Sequence, residues 1–115
     1  MVKRTGHPKF IREKIKEALQ PFVFENICPD TYHAITIAVM DVLIEYYKQE
    51  ILVGEKRSEA FYVRCDSINN TQKDAIDGHI NVDVGIALNE PNEFSVARYE
   101  QIRFESPRVF SQEVS

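Results

Sequence analysis

The sequence predicts an α+β protein in which two helices, about 8–20 and 30–49, pack on one face of a mainly antiparallel sheet. Three observations lead there. From Ile80 to Leu88 the apolar residues fall on every second position (Ile80, Val82, Val84, Ile86, Leu88), with His79, Asn81, Asp83, Gly85 and Ala87 between them. A period of two with β-branched residues on one side marks a half-buried strand. Asn89-Glu90-Pro91-Asn92 then reads as a reversal, so 79–88 and 93–104 pair antiparallel, with Phe61–Cys65 as a third strand. Upstream, apolar residues recur at spacings of three and four, the period of an amphipathic helix.

In chain order, Pro8 suits a first helical turn, where its missing N–H costs nothing. Phe10, Ile11, Ile15, Ala18 and Leu19 form the apolar stripe of the first helix, which Pro21 stops. Phe22-Val23-Phe24 is expected as a short strand or extended packing segment, and Asp30 as the cap of the second helix. In that helix Ile35, Ala38, Val39, Val42, Leu43 and Tyr46 make a wide apolar face, and Asp41, Glu45 and Lys48 a narrow polar stripe. So narrow a stripe predicts a helix covered on most sides, with Val42 in the core. Tyr32, Tyr46 and Tyr47 suit rim positions, ring buried and hydroxyl wet. Gly54 ends the region, and Ser58-Glu59 leads into the first strand. The polar stretch Asp66–Gly78 is long for a hairpin loop, and a helical turn is expected within Thr71–Asp77.

At 115 residues the chain is expected to form one domain, 1–115, with residues 1–7 as a flexible lead and 105–115 as a C-terminal arm. No apolar run approaches the roughly 20 residues of a membrane span, and Met1-Val2-Lys3-Arg4 is not followed by the apolar core of a signal peptide. Cys28 and Cys65 have no metal or redox spacing and are expected as reduced thiols of a cytosolic product. Charge is uneven. Residues 1–16 hold Lys3, Arg4, Lys9, Arg12, Lys14 and Lys16 against Glu13, giving +5, while the remaining residues hold eight basic and 17 acidic groups, giving −9. With no aromatic interleaving, the basic run is expected to be a solvated helix face rather than a nucleic-acid site.

A search for chemistry finds little. His7, His33 and His79 lie in three different elements, without ligand spacing, and are expected as surface or capping residues. Asp41 and Glu45 share a face with Lys48 and form an ordinary solvated stripe. Asp66, Asp74 and Asp77 occupy one loop but lack the alternating oxygen ligands and closing Glu of a calcium loop. No phosphate loop, nucleophile elbow or Cys/His pairing occurs. The residues point to a binding or structural module, with no enzymatic activity, metal or cofactor expected.

Several stretches fall in a telling order: Glu59-Ala60-Phe61-Tyr62-Val63-Arg64-Cys65-Asp66, Asn69-Asn70-Thr71, Asp74-Ala75-Ile76-Asp77-Gly78, Val82-Asp83-Val84-Gly85-Ile86-Ala87 and Pro91-Asn92-Glu93-Phe94. Together they resemble the C-terminal (inner) domain of contractile-tail sheath proteins, the sheaths of myophage tails and related contractile injection particles. That family has an Ala-Phe-Phe-Val-Arg-Cys-Asp type strand, a loop ending Ile-x-x-Gly, a valine-rich strand and a Pro-Ala-Glu-Phe opening of the last strand. Ile15 to Phe24 followed by Glu25-Asn26 resembles the step before the family's long helix, so the resemblance spans about residues 8–104. The chain departs from the pattern at Ile27-Cys28 before Pro29 and at Leu88-Asn89-Glu90, where the family has a proline and a basic residue. A full sheath subunit is also several times longer, so the chain is either a stand-alone, minimal sheath-like protein or the inner domain of something longer. The first is expected, because Met1-Val2-Lys3-Arg4 resembles a natural start.

The resemblance implies terminal strands donated to neighbouring subunits' sheets, main-chain hydrogen bonds supplying affinity. The donor candidate runs from about Gln101 to Phe110, and Gln101, Ile102, Arg103, Phe104, Glu105, Val109 and Phe110 are the candidate interface residues. Implied partners are further copies (rings or a helical stack) and tail-tube, sheath, baseplate or terminator proteins, with neither nucleic acid nor membrane. The implied location is the virion tail, after synthesis in the bacterial host cytoplasm. The alternative is a small α+β adaptor or ligand-binding domain that shares only the pattern.

Overall fold

The computed structural model describes residues 6–102, the side chain of Ile102 excepted. The expected C-terminal arm, and with it Arg103, Phe104, Glu105, Val109 and Phe110, lies outside the described residues, as do residues 1–5 of the expected lead. Helix α1 spans Lys9–Leu19 and α2 spans Pro29–Lys48; two short helical turns follow, α3 at Arg57–Ala60 and α4 at Gln72–Ile76. The strands are β1 (Phe61–Arg64), β2 (His79–Ala87) and β3 (Phe94–Ile102), in the order β1-β2-β3 and antiparallel throughout. This is the α+β class expected.

Strand β2 sits at the centre because its side chains are buried over nearly its whole length. Ile80, Val82, Val84 and Ile86 point to the helices and are at most 1% exposed, as the alternation requires. They meet Ile11, Ile15 and Leu19 of α1 and Ile35, Val39 and Leu43 of α2 in one core, joined by Leu52, Phe61 and Tyr99. Each helix buries a single i, i+4, i+8 stripe.

Several expectations need correction. Phe22-Val23-Phe24 is not extended: Gln20–Phe22 forms a 3₁₀ turn, Phe22 packs on the core, and Phe24 is 85% exposed. Proline at the start of that turn cannot continue the helix, but the turn carries the chain on without a strand to pair with. Cys28, not Asp30, is the N-cap of α2; Pro29 takes the first helical position and Asp30 sits in the first turn beside the positive end of the helix dipole. Helix α2 is not covered on most sides by the described residues. Ile37 is 46% exposed and Val42 only partly buried, so the apolar face is wider than the surface it covers. Phe10 is half exposed, edge-on to Tyr46 with ring centroids 5.5 Å apart. The helical turn in the loop is present as α4, closed by a capping box between Thr71 and Asp74, and Gly78 leaves it at φ 77°, where a Cβ would be strained.

Candidate assembly surfaces

The described residues assemble no catalytic constellation. His7, expected at the surface, is buried: Nε2–H donates to the Ser95 carbonyl at 2.9 Å and Nδ1 accepts from the Tyr99 hydroxyl at 2.8 Å. Burial holds its pKa below the ordinary imidazole value and pushes the Tyr99 hydroxyl up to about 12, so the neutral pair is the stable one. His33 is exposed on α2, and His79 Nε2 stands 3.8 Å from Glu100. The loop carboxylates are engaged separately. Asp66 accepts from Arg64 and the Ile68 N–H, Asp74 from the Thr71 N–H, and Asp77 from Lys73. Among the described residues no cluster of His, Cys, Asp and Glu fits a metal ion, and no helix is long and apolar enough to cross a membrane. Cys28 and Cys65 are both free thiols, and burial pushes Cys65 up to about 12, which leaves it an inert protonated thiol.

What the fold does present is sheet edges. Backbone N–H and C=O groups of successive strand residues point alternately to either side. In β2 the odd positions face β1: Asp83 and Gly85 stand opposite Arg64 and Tyr62, and the Ala87 carbonyl accepts the Val53 N–H at 2.9 Å. Strand β1 stops before Asn81, and there a side chain replaces a strand. Asn70 Oδ1 accepts the Asn81 N–H at 2.7 Å, and Asn70 Nδ2 donates to the Asn81 carbonyl at 3.0 Å. Asn69 braces the same place, donating to the Arg64 carbonyl and to Asp83. From Asn81 to Ala87 this side of β2 is therefore met by Asn70, β1 and Val53. Asn69 and Asn70 of the polar loop Asp66–Gly78 make this closure, a contact that neither the loop's polarity nor the resemblance carried by Asn69-Asn70-Thr71 foretold.

The same alternation turns the odd residues of β3 toward β2 and aims the N–H and C=O groups of Val96, Arg98 and Glu100 outward. No strand among the described residues pairs with that edge, or with the outer edge of β1. Each edge is flanked by a helix. Along β1 runs a groove of about 380 Å³ shared with Pro29, Tyr32, His33 and Thr36, with Val63, Cys65, Asp66 and Ser67 on the sheet side. Along β3 runs one of about 370 Å³, with Arg12, Lys16 and Leu19 of α1 and Gln20 just after it on one wall and Ala97 to Gln101 on the other. Of the expected interface residues, Gln101 and Ile102 close β3 opposite Ile80 and His79, and Gln101 Nε2 donates to the Leu19 carbonyl at 2.7 Å. The structure thus places Gln101 at the mouth of this groove.

The sheet face turned away from the helices has an aromatic end and a charged end. Tyr62 and Phe94 meet edge-on with ring centroids 5.1 Å apart, and the Tyr62 ring lies so close over Gly85 that a Cβ there would clash with its Cε2. Val96 beside them is 54% exposed. Farther along, Arg98 grips Asp83 in a two-pronged pair at 2.7 and 3.0 Å, and its hydrogen bonds hold the Asp83 carboxyl below the usual range.

No protein-family model matches the chain, and no curated protein does. Solved structures do. The chain is 33% identical, at a TM-score of 0.67, to a chain in the cryo-EM structure of the anti-feeding prophage baseplate, over 80% of this chain and 26% of that one. It is 28% identical, at a TM-score of 0.65, to a chain of the PVC sheath complex of an extracellular contractile injection system in the contracted state, over 77% of this chain and 25% of that one. The chain spans about a quarter of the length of each. In sequence and fold together it is similar to one part of the subunits that build contractile injection systems.

Proposed function

We propose that this protein is a structural, sheath-like subunit of a contractile phage tail or related injection particle, assembling around a tail tube by strand addition between subunits. The observation that carries the proposal is the likeness to a baseplate chain and a sheath chain at 33% and 28% identity over about four fifths of the sequence. The two edge strands, each bordered by a groove, supply the physical means. An exposed edge is normally blunted by proline, lysine, a bulge or a covering element. Strand β3 runs nine residues with neither proline nor lysine. In an assembly such an edge is a joint, on which main-chain bonds set affinity and flanking side chains set the choice of partner. The donor is the segment following Tyr99, with Gln101, Ile102, Arg103, Phe104, Glu105, Val109 and Phe110 as its interface residues. Its partners are further copies and tail-tube, sheath, baseplate or terminator proteins.

Deleting Ser106–Ser115 tests the donor. Light scattering and negative-stain microscopy should show smaller assemblies, while the thermal midpoint moves little. If assemblies persist at full size, or if the melting temperature drops while association is kept, the segment is ordinary packing and the joint lies elsewhere.

A further inference from the structure

We propose that the groove along β3 accepts an acidic extended segment contributed by a different polypeptide, an inference that rests on the strand-addition reading above and adds the chemistry of the partner. Five consecutive residues, Ala97 to Gln101, line this groove. Alternate strand side chains point to opposite faces, so an unbroken run can line a groove only if the groove follows the strand's edge. The outward N–H and C=O groups of Arg98 and Glu100 therefore look into it.

The opposite wall is basic. Arg12 and Lys16 stand one helical turn apart on α1, both are exposed, and neither is in an ion pair among the described residues. On the strand side Arg98 is already paired with Asp83, while Glu100 keeps a half-exposed carboxylate 3.8 Å from His79. The helix wall sets the two positive charges of Arg12 and Lys16 against that one carboxylate. Leu19, Ala97 and the buried Tyr99 give the groove an apolar lining. At its end Gln101, whose amide nitrogen is held by the Leu19 carbonyl, keeps a buried side-chain oxygen with no donor among the described residues. An added backbone N–H is the donor that oxygen lacks.

Residues 1–5 and 103–115 match this surface poorly. Residues 1–5 carry Lys3 and Arg4 and no acid, and residues 103–115 carry Arg103 and Arg108 against Glu105 and Glu113. Basic side chains laid beside Arg12 and Lys16 repel, and a balanced segment gains nothing. The groove along β1, lined by His33 and Asp66 with no lysine or arginine, selects differently. The two edges of one sheet are thereby distinguished by charge.

The test uses the full-length protein and three labelled decapeptides: alternating valine and glutamate, alternating valine and lysine, and residues 102–111 of this chain. Anisotropy should show the glutamate peptide binding at least about tenfold more tightly than the lysine peptide at low salt, with the preference fading as salt rises. Hydrogen exchange should slow at the amides of Val96, Arg98 and Glu100. Arg12→Glu with Lys16→Glu should reverse the preference, and Arg12→Gln with Lys16→Gln, a milder change at the same exposed positions, should abolish it. Equal affinities, an order unchanged by both double variants, or tightest binding by the 102–111 peptide would overturn the acidic partner. Slowed exchange without charge preference leaves strand addition standing and removes only the acidity. If no peptide slows those amides, the strand-addition reading fails with it.

Discussion

Replacing Asn70 with alanine removes the side chain that substitutes for a strand on the β1 side of β2. Two backbone groups lose their partners at once, the N–H of Asn81 at 2.7 Å and its carbonyl at 3.0 Å, and Asn81 is only 7% exposed. The Asp66 carbonyl, 3.0 Å from Asn70 Nδ2, loses its donor as well. A buried polar group left unsatisfied costs about 1–3 kcal/mol. Asn69 Nδ2 still reaches the Asn81 carbonyl, but at 3.4 Å, so that group is rescued in part. The expected loss is therefore about 2–4 kcal/mol, a large share of a typical domain stability of about 5–15. Urea unfolding at constant slope measures it, and the Asn81 amide should exchange far faster than that of Asp83, whose partner Arg64 is untouched. Asn70→Asp is the informative control. It keeps an acceptor for the Asn81 N–H but sets a carboxylate oxygen against the Asn81 carbonyl, so it should cost at least as much as alanine. A loss below about 0.5 kcal/mol for Asn70→Ala, with the Asn81 amide still protected, would refute the closure of this edge.

Val39 is fully buried under the sheet, so Val39→Asp should cost about 3–5 kcal/mol, while Val42→Asp at the partly buried rim should cost clearly less and Asp41→Ala almost nothing; chemical denaturation ranks the three. Because His7 is held below its unfolded pKa, the unfolded chain takes up the proton first as acid is added. Stability should be full above about pH 6.5 and fall below it, and His7→Gln should flatten that slope in melts between pH 7 and 5. Gly85→Ala should drive the Tyr62 ring off the sheet and break its edge-on contact with Phe94, costing about 1–3 kcal/mol and altering the tyrosine signal in near-UV circular dichroism; an unchanged spectrum and melting temperature would show that the ring tolerates the methyl.

Periodicity alone determined the skeleton of this protein. The two-residue alternation of Ile80 to Leu88 set the buried face of β2, since a one-residue slip would send every apolar side chain to solvent. The three- and four-residue spacing of Ile11, Ile15 and Leu19, and of Ile35, Val39 and Leu43, set the two helices within a residue or so of their ends. Periodicity states which side of an element is apolar, not how much of it a neighbour covers. Val42 and Phe10 therefore read as part of the buried faces, whereas the three-stranded sheet of the described residues leaves them at the rim. What joins residues far apart was decided only by the tertiary structure. His7 meets Ser95 and Tyr99 across some ninety positions, Asn70 finds the backbone of Asn81, and Arg12 and Lys16 come to flank β3. None of these leaves a local trace, because a hydrogen bond or a shared groove depends on where two segments arrive in space. Of the basic run, Lys9, Arg12, Lys14 and Lys16 read correctly as an exposed helix face. That it borders an unpaired strand edge follows from α1 packing alongside β3, a fact of the fold and not of the pattern.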